Sequence, residues 1–122
     1  MPITINYDRK ENILFTKAEG VIKLDDIISY FSSAATLGLK QGYRVLADYT
    51  EARLQLSNDD IYKMAQQRKM ILEINDKINI AVFCDHDLVF GLGRMYESLL
   101  DDGKYNVMIF RSKEKAEKWL GV

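Results

Sequence analysis

Cysteine, histidine and proline each occur once in this chain, and every one of those scarcities excludes something. A single Cys permits no internal disulfide and no zinc site built from thiolates. The only proline is Pro2, and no Gly/Ser tract, long block of like charge or internal repeat divides the rest of the chain. Neither charge is in excess: Lys+Arg is 17 and Asp+Glu is 18, a formal net of −1. Binders of nucleic acid or anionic membrane need a basic surplus, so both classes are disfavoured. Met1-Pro2-Ile3-Thr4 carries neither the basic nor the apolar region of a secretion signal. No apolar run approaches the roughly 18 residues of a membrane span. The expectation is a cytoplasmic protein with no integral membrane segment and no nucleic-acid partner, and no motif implies a cofactor or a metal.

What is present is ordinary globular material. The 122 residues are 48% hydrophobic and 11% aromatic, which suits one domain over residues 1–122 with one real core. A chain of this size buries about two-thirds of its unfolded surface. Ile3, Ile5 and Tyr7 stand at period two, Asp8 to Asn12 is polar, and Ile13, Phe15 and Lys17 resume the extended pattern. This predicts a β-hairpin with a five-residue loop, its second strand ended or bulged at Gly20. From Leu24 the period becomes helical: Leu24, Ile27, Ile28, Phe31, Ala34 and Ala35 share a face, and Gly38 or Gly42 is the stop. Tyr43 to Ala47 reads as a short strand ending at Asp48.

Ser57 and Asp60 have capping-box spacing and open a second helix with Ile61, Met64, Ala65, Arg68 and Leu72 inward, ended by Asn75-Asp76. Ile78 to Cys84 is apolar enough for a strand covered on both faces. Leu88, Leu92, Met95, Tyr96 and Leu99 form a third helical stripe, closed by Asp101-Asp102-Gly103. Val107 to Phe110 is another buried strand, and Ser112 caps a last helix with Ala116, Trp119 and Leu120 inward. The order ββαβαβαβα implies parallel strands joined by helical crossovers, with the hairpin supplying one antiparallel strand. The fold class is therefore α/β, a mixed, mostly parallel sheet with helices packed against it.

Within that order, Tyr43-Arg44-Val45-Leu46-Ala47-Asp48, the helix opened by Ser57, and Lys77 to Phe83 resemble the STAS-like domains, relatives of the sporulation anti-sigma-factor antagonist. The ending from Val107 through Arg111-Ser112 to Leu120 is similar to small bacterial STAS-like proteins of unknown function. The resemblance covers nearly the whole chain, through spacing and apolar pattern rather than polar motifs. It implies a four- or five-stranded mixed sheet and a non-enzymatic, regulatory role in binding a partner protein. Antagonists are phosphorylated at a Ser opening the helix after the third strand, which makes Ser57 the candidate phosphosite here. The antagonists' Asp-Ser-Ser-Gly-like segment is replaced by Gln55-Leu56-Ser57-Asn58-Asp59-Asp60. The fold is also similar to that of the CRAL-TRIO lipid carriers, which implies an apolar ligand as the alternative.

Ligands of open α/β sheets tend to sit beyond the carboxyl ends of the parallel strands. Asp48-Tyr49-Thr50, Asp85-His86 and Arg111 fall at three such ends and form the expected binding rim. Cys84 and His86 read either as a nucleophile pair or metal site, or as a buried small hydrophobe beside a helix cap, and their adjacency favours the second. Asp48 is either a general base paired with Asp85 or a residue that holds its own backbone, the commoner use of Asp. Ser57 as a phosphosite would place a dianion beside Asp59 and Asp60, so a plain cap is the simpler role. Gly91 and Gly93 lack the residues of a phosphate loop and fit a helix brought close to the sheet. Arg68 either lays its stem on apolar surface with its head in solvent, or pairs with a rim carboxylate. Tyr30, Tyr49, Tyr62 and Tyr96 offer either a surface strip for a partner or edge packing.

The leading expectation is a binding module that recognises a protein through the rim and the second helix, and it predicts a flat apolar patch without a deep pocket. The alternative is a carrier of a small apolar, lipid-like ligand, and it predicts a cavity between sheet and helices. An enzyme lacks any pairing of nucleophile with base. A homodimer through the hairpin's edge strand is a further expectation.

Overall fold

The computed structural model describes residues 2–72, 77–100 and 104–122. The elements are β1 (Ile3–Asp8), β2 (Ile13–Ile22), α1 (Leu24–Ala35), β3 (Arg44–Leu54), α2 (Asn58–Ile71), β4 (Ile78–Phe83), α3 (Asp87–Leu99), β5 (Tyr105–Phe110) and α4 (Lys113–Leu120). The strands lie in the order β1-β2-β3-β4-β5, the first pair antiparallel and the rest parallel. The expected element order and mixed five-stranded sheet are thus what the chain forms. The proposed ends of the second and third helices at Asn75-Asp76 and Asp101-Asp102-Gly103 lie outside the described residues.

Every crossover steps the same way along the sheet. Because parallel crossovers are right-handed, helices joining such steps fall on one face. Accordingly α1, α2 and α3 pack side by side, and α2 has α1 and α3 as its closest backbone neighbours rather than a strand. No strand follows α4, which covers the opposite face over β3, β4 and β5. The front core, beneath α1–α3, includes Leu14, Ile22, Ile27, Phe31, Val45, Ile61, Ile80 and Val107. A smaller back core joins Leu46, Ala81 and Phe83 to Ala116 and Leu120.

The largest differences from the sequence reading are at three boundaries. The second strand does not end at Gly20 but runs to Ile22, with Gly20 at φ +76° paired to Ala52. The first helix stops at Ala35, ahead of Gly38. The third strand does not end at Asp48: it continues to Leu54 alongside the long second strand.

Local chemistry sets the helix ends. Ser57 Oγ accepts from the Asp60 N–H at 3.1 Å, while the Asp60 carboxylate accepts from the Ser57 N–H at 3.0 Å. This is the reciprocal capping box that the spacing predicts, so Ser57→Ala is expected to cost about 1 kcal/mol in a urea melt. A change within a few tenths would mean that the cap contributes nothing. Ser112 Oγ likewise accepts from the Lys115 N–H. Gly93 has the close-approach role expected of it, since a Cβ there would sit 3.0 Å from Ile109 Cδ1. Arg44 ties two ends together, its guanidinium donating to the Leu120 carbonyl at the end of α4 and to the Glu11 carbonyl in the hairpin loop.

Candidate functional site

A crevice at the carboxyl ends of a parallel sheet arises where strand order reverses. This sheet runs from β2 to β5 without reversal, so its topology dictates no such crevice. Asp48, Tyr49 and Thr50 lie inside β3, at a level set by the pairing of Asp48 with Phe83 and of Phe83 with Phe110. The other rim residues, Asp85, His86 and Arg111, follow the ends of β4 and β5 at that same level.

Most of them are occupied with one another or with their own backbone. His86 Nε2 lies 3.3 Å from the Asp85 carboxylate on the surface. Arg111 pairs with Asp87 at 2.8 Å and lays its guanidinium over the Phe90 ring. Neither Asp85 nor Asp87 caps α3, whose N-cap is His86 without a side-chain bond. Among the described residues no three of His, Cys, Asp and Glu gather to hold a metal. Cys84 is fully buried and donates weakly toward the Phe110 carbonyl.

Asp48 holds its own backbone. Its Oδ1 accepts from the Thr50 N–H at 2.9 Å and from Thr50 Oγ1 at 2.6 Å. The ladder with β2 shifts here: Lys17 pairs with Asp48 but Glu19 with Glu51, which puts the extra residue in β3. A bulge changes the parity of a strand. Val45, Ala47 and Tyr49 face the helices before it, and Ala52 and Leu54 face them after it. Asp48 therefore acts on the front face indirectly, by fixing the bulge that turns Tyr49 and Leu54 to the same side.

That side holds a cavity of about 60 Å³ between the sheet and α1–α3. By the size of a water probe it has room for about five water-sized groups. Ile27, Val45, Ala47, Ile61, Met64 and Leu92 supply apolar wall, while Thr16, Tyr30, Tyr96 and Arg68 supply the polar atoms. Tyr49, Leu54 and Leu56 keep partial exposure and mark the open end, near the carboxyl ends of the strands. Of the seven site residues expected from sequence, only Tyr49 lines this cavity; Ser57 is an exposed cap near its open end.

Arg68 overturns both readings of its sequence position. It neither reaches solvent nor meets a carboxylate, and it is only 3% exposed. Its guanidinium lies 5.2 Å from the Phe31 ring centre and 5.8 Å from that of Tyr105, with Nη1 3.5 Å from the Tyr96 hydroxyl. Nε and Nη2 have no hydrogen-bond partner, and neither does the neighbouring Tyr43 hydroxyl. Burial works against the Arg68 charge, and attraction to the surrounding tyrosine oxygens, Tyr96 and Tyr30 foremost, holds its pKa above the ordinary value, an attraction that acts in full only where those phenols ionise at alkaline pH. Burial pushes the Tyr43, Tyr49 and Tyr96 hydroxyls up, so they are neutral at physiological pH and supply no counter-charge. Of the four tyrosines noted in the sequence, Tyr30 and Tyr96 are buried around this charge, Tyr49 is half-buried and Tyr62 is on the surface.

These shifts set an alkaline limit. Cys84, raised by burial from an ordinary 9.0, and the three tyrosines, raised from 10.0, keep their protons in the fold after the unfolded chain has lost them. Their contribution is complete below pH 9 and is lost as pH rises through the raised values. Urea midpoints should thus fall steadily above about pH 9, with Cys84 unreactive toward thiol reagents in the native state. A flat profile to pH 11 would contradict the assignment.

No family model and no curated protein matches the sequence. A solved structure does: an uncharacterized protein of the DUF3478 family with a SpoIIAA-like fold from Shewanella loihica, 22% identical, with a TM-score of 0.58 over 97% of this chain and 93% of that one. The likeness shows a SpoIIAA-like, STAS-like fold, in line with the resemblance noted in the sequence.

Proposed function

We propose that this SpoIIAA-like chain is a non-enzymatic binding protein whose small ligand occupies the cavity between the sheet and α1–α3. The observation that carries the reading is the cavity itself, which is largely apolar and open at one end. A few polar groups within an apolar concave wall is the usual make-up of a small-molecule site. On this ground we prefer the carrier reading to the other expectation, recognition of a protein partner. No helix among the described residues is long and apolar enough to cross a membrane. The one buried thiol needs no oxidising compartment, and we assign the protein to the cytoplasm.

The test uses a neutral probe. Titration with 1-hexanol should move the methyl NMR signals of Ile27, Val45 and Ile61 in the wild type. Ala47→Leu projects a larger side chain into the cavity and should abolish those shifts while a thermal melt shows the fold retained. Wild-type protein indifferent to hexanol would refute the reading.

One observation favours a protein contact as well. The back of the sheet over β1 and β2 is not covered by α4, and Phe15 there is 36% exposed beside a groove with Thr4, Lys17 and Phe83. A homodimer through the β1 edge belongs to this second reading. Ile5→Pro, which removes a backbone donor from β1, should then yield monomers by sedimentation.

A further inference from the structure

Resting on that reading of the cavity, we propose that its ligand is a small carboxylate, bound with the anion against Arg68 and its hydrocarbon directed toward the open end. A guanidinium cut off from water and lacking a carboxylate is among the costliest arrangements in a protein interior. Here the rings of Phe31 and Tyr105 lie near it and one phenol reaches one nitrogen, yet two nitrogens are without a partner. Those two, Nε and Nη2, belong to one edge of the guanidinium. Their N–H bonds run parallel and match the two oxygens of a carboxylate. The Tyr43 hydroxyl, also without a hydrogen bond of ordinary geometry, stands beside the same guanidinium but outside the cavity wall.

Placement fixes the orientation. Arg68 is three residues from the end of α2, Tyr43 precedes β3 and Tyr105 opens β5, so the charge lies toward the amino ends of the parallel strands. The partly exposed Tyr49, Leu54 and Leu56 lie toward the opposite end. An anion at the first and an alkyl chain leading to the second is the arrangement this polarity selects. Arg68 lines the cavity, but Nε and Nη2 are closed off from it, so binding requires the guanidinium to turn that edge toward the incoming group. The enclosed volume of about 60 Å³ takes the carboxylate and the first carbons of a chain, with the remainder in the open end, and excludes a bulky head.

Hexanoate and 1-hexanol, compared by calorimetry and methyl NMR at pH 7, test the assignment on ligand-stripped, refolded protein. Wild type should bind hexanoate at least tenfold more tightly than hexanol. Arg68→Met keeps an apolar stem of similar reach, and it should lose that preference while still binding hexanol. Arg68→Lys retains the charge without the fork and should weaken hexanoate severalfold. Hexanol binding as tightly as hexanoate to wild type overturns the carboxylate and leaves the cavity reading standing. Neither probe binding overturns both. Hexanoate binding unchanged in a folded Arg68→Met variant overturns the role of Arg68.

Discussion

Replacing Arg68 by Met should make the ligand-free protein more stable, by about 1–3 kcal/mol. Losing a buried side chain usually destabilises, so the sign of this expectation is its content. In the fold the Arg68 head has two unpartnered nitrogens at 3% exposure, facing rings and neutral phenols. An apolar residue of similar length removes that desolvation cost and keeps most of the stem's packing beside Phe31. Replacing buried ionic groups with packed hydrophobes has this effect elsewhere, by about 1–4 kcal/mol. Urea unfolding of the two proteins at pH 7 decides it. A loss of about 2 kcal/mol or more would show that the rings and Tyr96 fully satisfy the charge, and that stability rather than a ligand is its use.

Truncating Phe31 to Ala should have the largest effect of opposite sign, about 3–5 kcal/mol of lost stability. Phe31 is 1% exposed, packs at 5.4 Å from the Tyr30 ring, lines the cavity and lies beside Arg68. The void left by its ring merges with a space already present, so the surroundings have little with which to close it. For a domain whose whole stability is on the order of 5–15 kcal/mol, much of the folded population at elevated temperature would be lost. Part of that loss comes from uncovering the guanidinium. In an Arg68→Met background Phe31→Ala should therefore cost less by roughly 1 kcal/mol, which a double-mutant cycle reads directly. Equal costs in both backgrounds would mean that the ring's contact with Arg68 has no energetic weight.

Much of the fold was legible because its apolar residues keep one period through each element. The strands expected over 78–84 and 107–110 form as Ile78–Phe83 and Tyr105–Phe110, and Ile27, Phe31 and Ala34, like Leu92 and Tyr96, line one helix face each. The caps at Ser57 and Ser112 depend on residues three apart, and they too follow the local pattern. The far half of β3 was not legible. Its inward residues are Val45, Ala47 and Tyr49, then Ala52 and Leu54, so the alternation breaks at the bulge and a period-two reading stops near Asp48.

Local interactions and side-chain periodicity therefore determined the element order, the mixed sheet and most helix starts, because each depends on residues within a few positions of one another. The rim residues lie at the strand ends as expected, and there Asp48, Asp85 and Arg111 have local partners that the sequence did not indicate. Only the tertiary structure shows the cavity that we propose as the site. An Arg on an apolar helical stripe ordinarily snorkels, and α2 alone leaves that route open. It closes when three same-handed crossovers bring α1 and α3 against α2 and place Phe31, Tyr43, Tyr96 and Tyr105, from four separate segments, around one guanidinium. Burial of a charge is a property of that enclosure, and no window of sequence contains it.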